Sequence, residues 1–264
     1  MLIQAALNGG TSRSEHPAVP LTPAELAASA REAQAAGATV IHIHPRDSFG
    51  AQTLASGHVL AAVAAVHEAT GLPVSVTTGI WTVDGEPGRR LALVADWAGR
   101  SAGAGRVVGR GRLAGEPLRG KHSRGRPDFV SINMNEPGIE PLADLVTSLG
   151  IGIEAGVWTA DDARRLGACA FRDRVRRVLL EPVDRTPADA VATAAEASAE
   201  LKRLGVDAPQ VHHGYGVATW DVLKSAAEGG FGIRVGLEDT TVLPDGTTAS
   251  GNADLISAAV ALVS

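Results

Sequence analysis

Short apolar runs alternate with helical patterns along most of the chain. The apolar runs predict eight strands, at residues 2–7, 39–44, 73–77, 128–133, 150–154, 175–180, 210–213 and 232–236. The stretches between them predict helices at residues 22–36, 56–70, 87–97, 141–149, from 159, from 186, 218–228 and 250–262. Eight strand–helix units in 264 residues favour a single-domain (β/α)8 TIM barrel over an open doubly wound sheet.

One stretch breaks this alternation. Residues 99–126 are rich in arginine and glycine and show neither a helical nor a strand period. We interpret the chain as one barrel domain, 1–264, that carries an insertion at about 99–126. The insertion could be an arginine-rich arm that binds the phosphates of a nucleotide-like cofactor, or a flexible or interface loop. Its composition favours the second interpretation.

The composition narrows the class of protein. Hydrophobic residues make up 45% and charged residues 20% of the chain, as in a globular protein with a sizeable core. The net charge of −5 gives no reason to expect nucleic acid or an anionic membrane as a partner. There is one cysteine, Cys169, and no signal-peptide pattern or run of about 18 apolar residues. We therefore expect a cytoplasmic protein, with Cys169 packed in a helix.

The candidate chemistry begins with His42 and His44, at the end of the second predicted strand. Side chains two residues apart on a strand point the same way, so the two imidazoles would converge as metal ligands do. The alternative is that each ring is simply hydrogen-bonded. In a closed barrel the first strand neighbours both the second and the eighth. A carboxylate from Glu238 or Asp239 can therefore approach the histidine pair and complete a metal site with open positions.

Other polar residues near strand ends have simpler explanations. Glu154 could be an ion-pair partner, and Thr77 and Thr78 could close a turn. His212 and His213 are adjacent and must face opposite sides of their strand, so we interpret them as structural histidines.

The motifs, taken together and in order, resemble the β-keto acid cleavage enzymes, typified by 3-keto-5-aminohexanoate cleavage enzyme. The resemblance spans nearly the whole chain apart from the insertion. It rests on Ala6-Leu-Asn-Gly-Gly10, Pro20-Leu-Thr-Pro-Ala-Glu25, His42-Ile-His-Pro-Arg-Asp47, Thr77-Thr-Gly79, Ser131-Ile-Asn133, Gly152-Ile-Glu154 and Arg234-Val-Gly-Leu-Glu-Asp239.

The resemblance implies a metal-dependent barrel, usually with zinc and usually a homo-oligomer. The implied reaction condenses a β-keto acid with acetyl-CoA to give acetoacetate and a new acyl-CoA. The matching positions imply a role for each of eight residues: metal ligands His42, His44 and Glu238; acid/base Asp239 and its partner Arg234; substrate-pocket residues Thr78, Ser131 and Glu154.

The chain departs from the aminohexanoate enzyme after its first strand. That enzyme carries an acidic residue there, suited to an ammonium group, whereas this chain has Asn8-Gly-Gly-Thr-Ser-Arg13. We therefore expect a neutral or anionic β-keto acid as substrate. Two other functions remain open: a metal-dependent keto-acid lyase or aldolase that does not use CoA, and a non-catalytic barrel that serves as a binding protein.

Overall fold

The computed structural model describes residues 1–98, 125–184 and 186–263. Apart from residues 125 and 126, the predicted arginine- and glycine-rich insertion lies outside the described residues. Eight parallel strands close into a barrel in chain order, and β1 pairs with both β2 and β8. The strands are β1 Ile3–Ala6, β2 Val40–Ile43, β3 Val74–Thr77, β4 Phe129–Asn133, β5 Gly152–Val157, β6 Val175–Leu180, β7 Gln210–His212 and β8 Gly232–Val235.

Within the described residues eight α-helices alternate with the strands, which confirms the predicted TIM barrel. They are α1 Pro23–Ala35, α2 Ser56–Thr70, α3 Pro87–Ala95, α4 Ile139–Ser148, α5 Ala160–Ala168, α6 Pro187–Arg203, α7 Thr219–Glu228 and α8 Asn252–Val263. No helix within the described ranges is long and apolar enough to cross a membrane.

Threonine side chains cap the starts of α1, α5 and α6, and at α1 and α5 the cap is a reciprocal pair. Thr22 accepts a hydrogen bond from the backbone of Glu25, whose side chain binds back to the Thr22 backbone. Thr159 and Asp162 form the same reciprocal pair at the start of α5. Each of these two capping pairs satisfies backbone N–H groups that the first helical turn leaves without partners. Cys169 is buried as predicted, although it follows α5 instead of lying inside it.

The apolar core fills the space between the strands and the helices. Ile41, Ile43, Val74, Val76 and Val130 are buried there. The barrel interior is different, because its strands place polar side chains inward at several levels. These include Gln4, His42, Ser75, Glu154 and Arg234, all at most 2% exposed. A barrel interior is usually filled by branched apolar residues, so this polar interior marks the position of chemistry.

Candidate active site

Three side chains converge at the carboxyl end of the barrel. His42 lies in β2, His44 follows that strand, and Glu238 follows β8. The Nε2 atoms of the two histidines are 3.2 Å apart. The Glu238 carboxylate oxygens lie 3.3 Å from His44 Nε2 and 3.7 Å from His42 Nε2. The three groups therefore face one another. Both imidazoles are buried and so are shielded from bulk solvent.

The partners of His42 determine which of its ring nitrogens is free. Ser75 Oγ lies 3.0 Å from His42 Nδ1 and donates its own proton to Glu154. Because a hydroxyl has one proton, Ser75 must accept from His42 Nδ1–H. The unprotonated Nε2 is then the atom that faces Glu238. Burial lowers the pKa of His42 well below its ordinary value and favours this neutral ring.

The partners of His44 lead to the same conclusion. Gln52 Oε1 lies 2.7 Å from His44 Nδ1 and accepts a hydrogen bond of 3.0 Å from Trp81 Nε1. An indole N–H can only donate, so the Gln52 atom between them is the oxygen and His44 Nδ1 is the second donor. The Trp81 ring also stacks on the His44 ring, at 6.3 Å between centroids. Both histidines therefore donate through Nδ1 and direct Nε2 toward Glu238.

This group of ligand atoms fits a divalent metal ion. All three ligand atoms lie within 4.8 Å of one another. Zinc–nitrogen bonds of about 2.0–2.1 Å in a tetrahedral site place neighbouring ligand atoms about 3.3 Å apart, close to the separations measured here. Glu238 Oε2 is buried and has no hydrogen-bond partner within the described residues. An unpaired buried carboxylate oxygen is costly, and a cation would remove that cost.

A glycine in the loop after β1 makes room for Glu238. Gly9 has a φ of +47°, and a Cβ atom there would lie 2.1 Å from Glu238 Cγ. A larger residue would therefore need both an unfavourable backbone conformation and a displaced Glu238. The Asn8-Gly9 motif thus shapes the ligand group through packing.

Arg234 connects Glu238 to the next residue in the chain. Its Nη2 lies 2.5 Å from Glu238 Oε1 and 3.1 Å from Asp239 Oδ1. Burial raises the pKa of Glu238, but the positive charge of Arg234 is the largest opposing effect, and the pKa is held well below its ordinary value. Burial lowers the pKa of Arg234, yet its two carboxylate partners and Glu181 raise it overall. Arg234 therefore remains a cation shared by both carboxylates.

His213 extends this group on the far side of Asp239. Its Nδ1 lies 3.2 Å from Asp239 Oδ1, and its Nε2 lies 3.5 Å from Glu181 Oε2. Burial and Arg234 lower the pKa of His213, but Glu181 and Asp239 raise it above its ordinary value. The ring is therefore held between two carboxylates. His213 and Asp239 are almost completely buried, whereas the Glu181 side chain is 25% exposed.

Glu154 lies deeper than its sequence position suggested. The predicted strand ended at Glu154, but β5 continues to Val157, so Glu154 is inside the barrel instead of at its mouth. A register shift beside it brings Arg177 opposite, with Nε 3.2 Å from Glu154 Oε1. Gln4 Nε2 donates to the same carboxylate, at 3.1 Å. These contacts, and the hydrogen bond from Ser75, connect Glu154 to His42 and support a role in orienting that ring.

Thr78 and Ser131 lie together on the neighbouring wall. The Thr78 hydroxyl donates to the backbone oxygen of Ser131. Arg90 donates to the backbone oxygen of Thr78, at 3.2 Å, and pairs with Glu136. Thr78 is fully buried, whereas Ser131 is only partly buried. The structure thus brings this predicted pair together through backbone contacts.

A family model described as beta-keto acid cleavage enzyme matches residues 1–264. This chain belongs to the β-keto acid cleavage enzyme family. It is also 27% identical over 264 residues to the 3-oxoadipate:acetyl-CoA acetyltransferase of Cupriavidus necator strain H16, an alignment that covers 99% of this chain and 87% of that protein.

Solved structures with low sequence identity share the barrel of this β-keto acid cleavage family member. Apo ObcA is 18% identical, with a TM-score of 0.68 over 91% of this chain and 61% of that chain, so the present chain spans about three fifths of ObcA. The 3-dehydroquinate dehydratase of Geobacillus kaustophilus is 13% identical, with a TM-score of 0.58 over 99% of this chain and 89% of that chain. Both similarities show the fold alone.

Four residues of this β-keto acid cleavage family member have contacts that sequence reasoning did not assign. Ser75, Gln52 and His213 each contact a predicted site residue, and Glu181 contacts His213. Ser75, His213 and Glu181 lie at or near strand ends, so barrel topology places them near the mouth without specifying their partners. Gln52 follows β2 in a loop, and a polar residue in a loop gives no comparable signal.

Proposed function

We propose that this chain is a metal-dependent enzyme that condenses a β-keto acid with acetyl-CoA and forms acetoacetate and a new acyl-CoA. The observation that supports this most strongly is the position of Asp239. A group of three ligands suited to a metal lies beside a buried carboxylate, and Arg234 binds both. A metal site and a base are thus adjacent at the end of the barrel where catalysis takes place in this fold.

His42, His44 and Glu238 would hold the metal, which when bound supplies Lewis-acid stabilisation of the substrate's keto and carboxylate oxygens. Asp239 takes the proton from C2, the carbon between the keto and carboxylate groups. Arg234 forms an ion pair with Asp239, with Nη2 3.1 Å from Oδ1. Thr78 and Ser131 stay predicted pocket residues. Glu154 was predicted to join them, but its contacts better support orientation of His42.

The bond changes balance without an external oxidant or reductant. Loss of the C2 proton leaves an electron pair on C2, which attacks the thioester carbonyl of acetyl-CoA and releases the CoA thiolate. The thiolate then attacks the original keto carbon, and the bond from that carbon to C2 breaks. Return of the proton to C2 gives acetoacetate, and the original acyl group leaves as its CoA thioester.

The substrate we propose is a neutral or anionic β-keto acid. The stretch 8–13 contains no acidic residue that could hold an ammonium group. Glu15, a little further on, accepts hydrogen bonds from Ser12. Arg13 pairs with Glu25 at the start of α1, so its position does not support direct contact with the substrate. The name of the Cupriavidus relative, which specifies the dicarboxylate 3-oxoadipate, favours the anionic alternative.

A substrate panel with acetyl-CoA tests the proposal. The purified protein is incubated with 3-oxoadipate, a neutral β-keto acid and 3-keto-5-aminohexanoate, and acetoacetate and the acyl-CoA product are measured by mass spectrometry. We expect both products from the first two substrates and little from the third. Cleavage without acetyl-CoA would instead indicate a lyase or aldolase, no turnover would indicate a binding protein, and a preference for the amino substrate would contradict our specificity proposal.

We further propose that the metal is zinc, because two imidazoles and one carboxylate are ligands that zinc commonly accepts. Elemental analysis of the purified protein tests this, and a stoichiometric metal other than zinc would contradict it.

We propose that the chain is one barrel domain, that it is cytoplasmic and that it forms a homo-oligomer. Light scattering of the purified protein tests the oligomer, and a monomer at all concentrations would contradict it.

A further inference from the structure

We propose that His213 is a positioning residue that fixes the Asp239 carboxylate so that Oδ2 is the oxygen that accepts the substrate proton. The proposal rests on the proposed function, because it names the part of the site that prepares the base. It gives the residue that follows β7 a role in orienting the base, whereas His42, His44 and Glu238 can hold a metal without that residue.

The two oxygens of Asp239 have different partners. Oδ1 accepts hydrogen bonds from Arg234 Nη2, at 3.1 Å, and lies 3.2 Å from His213 Nδ1. Oδ2 is buried, and no described residue hydrogen-bonds to it. Two donors on one side of the carboxylate prevent its rotation about the bond to Cβ. The free oxygen is therefore held in one orientation, as a base needs to be before its substrate arrives.

The bare oxygen is consistent with a reactive role. Leaving a buried carboxylate oxygen without a donor costs free energy. Such unpaired groups are rare in folded proteins, and a catalytic role is one reason for them. In the proposed reaction the C2–H bond breaks, the proton forms an O–H bond with Oδ2, and the electron pair stays on C2. The same O–H group returns its proton to C2 when acetoacetate forms.

Glu181 forms an ion pair with the other nitrogen of the His213 ring. Its Oε2 lies 3.5 Å from His213 Nε2, on the opposite side of the ring from Asp239. A carboxylate at each nitrogen favours the ring with both nitrogens protonated, and the raised pKa of His213 agrees with this. Nδ1–H is then a donor to Asp239, and the second N–H of the ring, at Nε2, lies beside Glu181.

The neighbouring residue provides a matched control. His212 is the last residue of β7, just before His213, and points to the other side of the barrel wall, where it stacks on Phe231 at 4.5 Å between ring centroids. Its Nε2 lies 3.0 Å from Gln210 Oε1. It has no contact with Asp239, so replacing it removes a buried imidazole from the same strand without touching the base.

The test compares His213→Leu, His213→Asn and His212→Leu in the full chain, with acetyl-CoA and 3-oxoadipate as substrates. Leucine removes the donor to Asp239, whereas the asparagine amide keeps a nitrogen near the position of Nδ1. We expect His213→Leu to lower kcat by about 10- to 100-fold, the effect of a hydrogen bond to a charged group. KM and metal content should stay near those of the unchanged protein. His213→Asn should recover most of kcat, and His212→Leu should keep it within about twofold.

Three results would overturn the proposal: an unchanged kcat in His213→Leu, a loss of kcat explained by lost metal, or equal loss in His213→Asn and His213→Leu. Failure of the proposed function is distinguishable, because the unchanged protein would then produce no acetoacetate. In that case, exchange of the C2 hydrogens of 3-oxoadipate for deuterium, followed by NMR without acetyl-CoA, still measures the proton transfer. The proposal requires this exchange to be catalysed and to slow in His213→Leu, and any other result overturns it.

Discussion

Glu238 and Asp239 are adjacent in the chain, but they face opposite sides of the site. Glu238 faces His42 in β2 and His44 just after it, whose Nε2 atoms can share a cation with it. Asp239 faces His213, the residue just after β7, whose ring is held between carboxylates and so donates a hydrogen bond. The same residue type, histidine, thus offers a nitrogen suited to a metal on one side and acts as a hydrogen-bond donor on the other.

The difference shows how partners select the protonation state of a side chain. His42 and His44 use Nδ1 to donate to neutral oxygens, of Ser75 and Gln52, which leaves Nε2 free. His213 has a carboxylate at each nitrogen, which favours protonation of both. Arg234 contacts both carboxylates, so the metal side and the base side remain electrostatically connected.

The largest expected effect comes from removing a ligand on the metal side. His44→Ala should abolish stoichiometric metal binding and lower kcat/KM by at least about 10³-fold, because a Lewis acid contributes several kcal/mol to the transition state. Elemental analysis and the acetoacetate assay measure the two effects. Retention of full activity with no metal would refute the metal-dependent function.

Asp239→Asn tests the base side alone. The amide is nearly the same shape but a very weak base, so we expect kcat to fall by about 10²- to 10⁴-fold. Metal content should be unchanged, because Asp239 is not one of the three ligands. Loss of metal together with activity would show that the two sides are not separable as we describe them.

Ser75→Ala probes the contact that orients His42. Without the hydroxyl, His42 Nδ1 and Glu154 both lose a partner inside the barrel. We expect metal affinity to fall by about 10- to 100-fold, as is typical when an outer hydrogen bond to a ligand is removed. Competition with a chelator measures this affinity, and an unchanged value would show that Ser75 does not orient the ring.

The smallest effect is expected from a site remote from both sides. Thr22→Ala removes the side-chain acceptor at the start of α1 and should lower the free energy of unfolding by about 1 kcal/mol. Activity below the unfolding transition should not change. Denaturant titration followed by the product assay separates these outcomes, and a large activity loss would connect α1 to the site in a way that its contacts do not explain.

Much of the fold could be predicted because the spacing of the apolar residues and the helix-capping residues indicate the same element boundaries. Ser56–Thr70 and Val175–Leu180 match their predicted bounds. The clearest difference was at β5, predicted to end at Glu154 but continuing to Val157. The residues after Glu154, Ala155-Gly156-Val157, are small or apolar and could equally begin a loop. Hydrogen bonding to both neighbouring strands decides the matter, and one segment in isolation does not reveal it.

The candidate site was predictable where spacing carries the information. Two histidines at alternate positions must share a face of β2, and barrel closure brings β8 beside β1. His213 was set aside because its neighbour is also a histidine, and alternation alone does not tell which of the two faces inward. The pairing of β7 with β6 and β8 determines which histidine faces inward, and this pairing joins residues that are far apart in the chain.

The two adjacent histidines also have a consequence for how β7 finds its register. This strand has only three residues, and a slip by one position would exchange the two imidazoles. His212 would leave an environment where burial lowers its pKa to about 4, and His213 would leave the two carboxylates that favour its cation. In the slipped strand the charged His213 ring would be buried where His212 now lies. Glu181 and Asp239 would lose their cationic partner. The pair therefore penalises misalignment during folding at the point where the strand is too short to do so by itself.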